Sequence, residues 1–283
     1  MVKNVILVYT KPHLNPFILP HLFYFMDDHQ YSKNIKKGMK VIILTNRDKY
    51  VTGIVEEVAT RKPFHEQGVM VMLTNKDIGR VKKIILSEPE QNEKLALEIQ
   101  KIIEKGENQH IEFKAEALWS TTYSHAQINE SKSFELREYG QKASKVIVAK
   151  SIAAFLNSDG GNLILGIKEK KEEKKFDIVG LDEDMKKLRE PGTDSYKRLL
   201  IDELIRAFFP SKIFNHLNDY LTFEFVTLNE NKIVCWIKIR KSDSRVFLKI
   251  NDKDVFMIRV DSENRTLEGE KLVDYCIKKW GGR

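Results

Sequence analysis

The stretch Ala149-Lys150-Ser151-Ile152-Ala153-Ala154-Phe155-Leu156-Asn157-Ser158-Asp159-Gly160-Gly161-Asn162-Leu163-Ile164-Leu165-Gly166 decides the fold of this chain. Together with the residues from Lys142 onward, it places Val146, Ala149, Ile152, Ala153 and Leu156 on one apolar helix face that ends at Asn157. Ser158, Asp159, Gly160 and Gly161 break that helix. The glycines supply backbone freedom, and Asn157 and Asp159 close the helix and shape the turn. Asn162 to Ile167 is a short apolar run of the kind that forms a buried strand. Helix, tight glycine turn and strand is the predicted order. A phosphate-cradling loop is the weaker reading, because no Lys-Ser or Lys-Thr follows the glycines, so no ATP is expected.

Toward the N-terminus, Glu107-Asn108-Gln109-His110-Ile111-Glu112-Phe113-Lys114 reads as a loop carboxylate feeding a strand. Ile111, Phe113, Ala115 and Ala117 point one way, and Glu112, Lys114 and Glu116 the other. Acid, base, acid on one strand face is ordinary on a solvated surface. In a basic cleft it can hold a divalent cation and a phosphate together. Ser120 to Gly140, rich in Ser, Thr, Tyr, Glu and Asn, is predicted to be a mobile loop. Glu88 to Gly106 reads as a helical connector, with Pro89 near its start and Gly106 at its end.

Before the connector, short strands punctuated by turns run over Lys40 to Thr45, Val51 to Val58, Val69 to Thr74 and Gly79 to Ile85, predicting a small antiparallel barrel of about five strands. Ahead of it, Val2 to Tyr9 reads as a strand, followed by an aromatic piece through Phe17, Phe23, Tyr24 and Phe25. The organisation is therefore an N-terminal region, 1–87, with the barrel at about 35–87, a connector at 88–106 and a second domain at 107–283.

The bulk numbers narrow the function classes. Across 283 residues, 48 Lys and Arg stand against 41 Asp and Glu, a net charge of +7, with an isoelectric point of about 9.1. That balance favours a polyanionic partner. No apolar run approaches the roughly 20 residues of a spanning helix, and no small-residue cleavage site follows Met1 to Tyr9. No membrane partner and a cytoplasmic location are expected. Cys235 and Cys276 read as buried free thiols without zinc spacing. No Gly-x-Ser-x-Gly elbow is present, so acyl transfer has no support.

Two resemblances add to this. Gly38, Val41, Gly53, Val55, His65, Gly68, Val69, Val71 and Gly79-Arg80-Val81 resemble the YwbE family of small bacterial proteins, which implies a binding module in which His65 and Arg80 could touch a ligand. In the second domain, Glu107 with Glu112-Phe113-Lys114, the string from Ala149 to Gly166, and Ile178-Val179-Gly180-Leu181 resemble the Schlafen AlbA-like domain. So do Val246 to Lys249 and Phe256, Ile258, Arg259, Ser262 and Thr266. That match runs over roughly residues 102 to 280 and implies an α+β domain of Schlafen AlbA-like type, joined by the helical connector to the small antiparallel β-barrel.

The Schlafen resemblance implies nucleic-acid binding, and its RNA-cleaving members use three acidic residues. By position these are Glu107, Glu112 and Glu169, the expected ligands of Mg²⁺ or Mn²⁺, with Lys114 steadying a phosphate oxygen. Glu169 stands where the family usually has Asp, and Lys168 replaces another residue that is often acidic. The zinc cluster of animal Schlafens is absent. Arg259, Arg265 and Lys249 would suit backbone phosphates, as would Arg80 on the barrel. Structural roles rival each of these: Glu107 accepting hydrogen bonds in its turn, Glu169 on a solvated hairpin tip, His65 capping a loop, and exposed cations elsewhere.

The expectation is a nucleic-acid-binding protein, RNA ahead of DNA, with a candidate metal-dependent endoribonuclease acting on structured RNA such as tRNA. A non-catalytic DNA-binding regulator is the alternative, and a scaffold built as a homo-oligomer a third.

Overall fold

The computed structural model describes residues 28–170 and 175–281; the strand expected over Val2 to Tyr9 and the aromatic piece through Phe25 lie outside them. The chain divides between Pro89 and Glu90 into two units. In the first, β1 (Lys40–Thr45), β2 (Tyr50–Val58), β3 (Met70–Leu73) and β4 (Ile78–Ile85) form a closed antiparallel barrel in that order, β4 pairing back onto β1. Val41, Ile43, Val55, Val71, Leu73 and Val81 fill its interior. The barrel closes on four strands, not about five. The register shifts at Val55/Glu57 and at Ile42/Ile43 bend the long second and fourth strands far enough for the sheet to meet itself.

The second unit is entered through α1 (Glu88–Lys105). Its elements continue with β5 (Ile111–Lys114), α2 (His125–Glu130), α3 (Phe134–Tyr139), α4 (Ala143–Asn157), β6 (Gly161–Leu165), β7 (Ile167–Lys170) and β8 (Lys175–Ile178). After α5 (Asp182–Lys186) and α6 (Thr193–Leu199) come three short helices, α7 (Arg206–Phe208), α8 (Ser211–Asn215) and α9 (Leu217–Tyr220). The chain then forms β9 (Leu221–Thr227), β10 (Ile233–Ile239), β11 (Phe247–Ile250), β12 (Lys253–Val260), β13 (Glu263–Thr266) and α10 (Gly269–Trp280).

The main sheet has the order β5-β6-β10-β9, with β5 parallel to β6 and the other pairs antiparallel. On one face, Ile99 and Ile102 of α1 pack against Ile111, Phe113, Ile164 and Trp236. On the other face lies α4, covered in turn by Leu248, Ile250 and Met257 of the sheet β11-β12-β13 and by Val246 just before it. Sandwiched between two sheets, α4 is buried nearly all round rather than along one stripe. Its end must turn sharply into β6. A Cβ on Gly160, at φ +74°, would sit 2.6 Å from the Ile239 carbonyl oxygen, so only glycine fits there.

The segment Ser120 to Gly140 is not a mobile loop. Ser124 and Gln127 close a capping box on α2, Ser133 caps α3, and Ile128, Leu136 and Ala143 form a small core of their own. Cys235 and Cys276 are both buried and free.

Candidate functional site

β5 is the edge strand of its sheet, and an edge strand presents backbone groups with no neighbour. Here each outward group is met. The Ile111 N–H donates to the Asn108 carbonyl, and the Ile111 carbonyl accepts from the Asn108 N–H and from Nη2 of Arg259 at 2.9 Å. The Phe113 N–H donates to Oε1 of Glu107 at 2.8 Å, and the Phe113 carbonyl accepts from Nζ of Lys114 at 3.1 Å. Glu107, Lys114 and Arg259 thus seal the edge that the sequence pattern offered as a site.

Glu112 points to the α4 side of the sheet, opposite Ile111 and Phe113, as the strand alternation requires. It is neither on a solvated face nor open to a cleft: only 4% of it is exposed. Oε2 accepts from Nη1 of Arg259 at 2.5 Å, and Oε1 is ion-paired with Lys114. Asn264 on β13 extends the network: its Oδ1 accepts from Nη1 of Arg259 at 3.0 Å and its Nδ2 donates to Oγ of Ser151 at 2.9 Å. Arg259 also donates to the Asn108 carbonyl through Nε and Nη2. A buried carboxylate is tolerable only when paired and hydrogen-bonded in this way.

Arg259, expected at a phosphate, is therefore directed inward, its side chain 1% exposed. Glu107 is partly buried at the end of the same segment. Burial raises its carboxyl above the ordinary range, and the charges of Glu112 and Glu169 push the same way, while the Phe113 N–H and Lys114 pull it down. Glu112 and Glu169 therefore both lie within electrostatic reach of Glu107. Glu169 is exposed on β7, in a two-stranded hairpin with β8, opposite Phe176.

Among the described residues, no three His, Cys, Asp or Glu side chains gather closely enough to hold a metal ion. The chemistry of the donors gives the reason. Both Glu112 oxygens are already committed to cations, so the set Glu107, Glu112 and Glu169, in this arrangement, does not fit Mg²⁺ or Mn²⁺.

The remaining candidates are scattered. Arg265 is exposed and paired with Glu263 at 2.8 Å, and Lys249 is exposed and faces Asp254 across the hairpin. On the barrel, Arg80 holds the Gly68 carbonyl through Nη1 at 3.0 Å, and Nδ1 of His65 accepts from the Gln67 N–H at 3.2 Å, shaping its loop.

Sequence reasoning passed over a second buried carboxylate. Asp184 on α5, fully enclosed, accepts from the N–H groups of Ala117 and Leu118, from Nζ of Lys187 and from the Tyr196 hydroxyl at 2.8 Å. Burial, then the Asp184 charge, hold the Tyr196 phenol well above its usual range. Asp184 fixes the chain leaving β5, so two buried acids flank the same segment. No signal distinguishes it in sequence from its neighbours Asp182 and Glu183.

The family model described as Schlafen, AlbA_2 matches residues 107–268, from the Glu107 turn to just beyond β13. The model of an uncharacterized conserved protein family (DUF2196) matches residues 28–84, the barrel segment. No curated protein matches the chain.

Proposed function

The chain belongs to the Schlafen AlbA_2 family, which suggests a nucleic-acid-binding role, and from that premise we propose that it binds nucleic acid, RNA ahead of DNA, without cleaving it. The observation that carries this reading is the engagement of both Glu112 oxygens by Arg259 and Lys114. A carboxylate so paired acts as an internal brace rather than as a base or ligand. The preference for RNA rests on the resemblance to Schlafen proteins with RNA as substrate.

A metal-dependent endoribonuclease acting on structured RNA such as tRNA is the second reading. It is favoured by one observation: Glu112 and Glu169 lie near enough to Glu107 to add to the upward push that burial gives its carboxyl. The test is incubation of the purified chain with tRNA, single-stranded RNA and single- and double-stranded DNA, with Mn²⁺ or with chelator, beside Glu107→Gln. That variant keeps an acceptor for the Phe113 N–H and so preserves the fold. Retained binding with every substrate intact is expected. Metal-dependent fragments that vanish with Glu107→Gln would overturn the first reading in favour of the second.

A further inference from the structure

The positive charge of this protein is not spread along it. Residues 28–87 hold twelve Lys and Arg against six Asp and Glu, whereas residues 88–283 hold thirty-four of each. The family match that suggests nucleic-acid binding falls on the electrically balanced part of the chain, and nearly all of the net +7 belongs to the barrel.

One part of the barrel surface carries cations without acids. Residues of β1 alternate, Val41 and Ile43 inward, Lys40, Ile42 and Leu44 outward. Pairing then sets the outer rungs: Leu44 lies between Tyr50 on β2 and Arg80 on β4, and Ile42 lies beside Lys83 on β4. The residues of β2 and β4 that pair with β1 include no Asp or Glu. Glu56 and Glu57 sit toward β3, around the β2 bulge, where Glu56 pairs with Lys76, and Asp48 and Asp77 lie in turns. Lys40 and Lys83 are exposed and have no acidic partner among the described residues. Tyr50 is 66% exposed, with its ring at one end of the face.

We infer that this acid-free face of the barrel is a binding site for a single-stranded polynucleotide, with Lys40 and Lys83 on phosphates and Tyr50 stacking on a base. The inference rests on the nucleic-acid reading above and assigns it to the domain that reading did not use. Cations alone would suit any polyanion. The aliphatic outer positions and the exposed ring at their end suit unpaired bases, whose faces a duplex hides within its stack. A phenol ring that is two-thirds exposed gains little from folding and much from a stacked partner.

The experiment is fluorescence polarisation of the full chain with labelled single-stranded RNA, single-stranded DNA and duplex oligonucleotides over a series of salt concentrations. For single strands, Lys40→Gln with Lys83→Gln is expected to flatten the slope of log K against log salt by about 1.4, two contacts at about 0.7 each. Tyr50→Ala is expected to weaken single-strand binding about 5- to 150-fold and to leave duplex binding unchanged. Lys76→Gln, which removes one barrel charge away from this face, is expected to stay within about twofold. All substituted side chains are exposed, so the variants should melt as wild type. If the wild-type chain binds no polynucleotide, the proposed function fails and takes this inference with it. If wild type binds and the barrel variants bind equally well, the inference alone is wrong. Equal losses on duplex and single strands with Tyr50→Ala would overturn the stacking assignment.

Discussion

Replacing Arg259 with Met keeps an unbranched apolar stem and removes the guanidinium from a position 1% exposed. Four things are lost: the ion pair with Glu112, the donors to the Asn108 carbonyl, the bond to the Ile111 carbonyl, and the bond to Asn264. Stranding a buried charge costs about 3–5 kcal/mol, and orphaning a carbonyl adds about 1–3 kcal/mol. Lys114 still neutralises Glu112, and Ile111 keeps its bond from Asn108, so the expected loss is about 3–5 kcal/mol in all. That corresponds to a melting point lower by about 6–20 °C for a unit of this size. Glu112→Leu should cost a similar amount by stranding Arg259. The double variant should cost less than the sum by about 2–3 kcal/mol, because two apolar side chains replace two charges. Urea unfolding followed by tryptophan fluorescence reads this out cleanly: Trp119, Trp236 and Trp280, the only three tryptophans, all lie in the second unit. Strict additivity, or a loss below about 1 kcal/mol for Arg259→Met, would refute the brace.

Other expectations follow from the same geometry. Glu107 holds its proton more tightly when folded than when unfolded, so its contribution to stability is present at low pH and is lost as pH rises above 4.5. Glu107→Gln should therefore match wild type near pH 4 and exceed it at neutral pH, as measured by melting across a pH series. Tyr196→Phe removes a bond to the buried Asp184 carboxylate and should cost about 1.5–3 kcal/mol. Since the phenol ionises only on unfolding, that variant should also lose the part of the stability decline above pH 10 that Tyr196 causes. Asn157→Ala, which cuts the bonds to Val246 and Met257, should loosen the β11-β12 hairpin from α4 and appear as faster amide exchange there. Burial pushes the Cys235 thiol far up, so it should react with thiol reagents only after denaturation.

What could be read in the sequence was whatever short-range pattern determines. The four barrel strands follow from alternation and glycine bends, close to their observed bounds. Closure on four depends on bulges that no local pattern announces. The helix, glycine turn and strand from Lys142 to Ile167 were legible for the same reason. The burial of α4 on all sides was not, because its outer cover comes from residues about a hundred positions later. The Ser120 to Gly140 segment was misread as loop by composition, although Ser124 and Gln127 already carried a capping signature. Strand alternation placed Glu112 and Lys114 together, but the residue that decides what Glu112 does is Arg259, 147 positions away. Read locally, an acid and an exposed cation suggest two sites; the fold joins them into one buried pair.

That separation has a consequence for how the protein is made. At about 5–20 residues per second, a ribosome that has just added Glu112 needs roughly 7–30 s more to deliver its guanidinium partner. Through that interval the nascent sheet has an unsealed border and a carboxylate that cannot be enclosed. The second unit cannot mature from its N-terminal end inward but must wait for β12. A transcript cut short before that strand yields a polypeptide with a sticky margin, a natural substrate for chaperones and proteases.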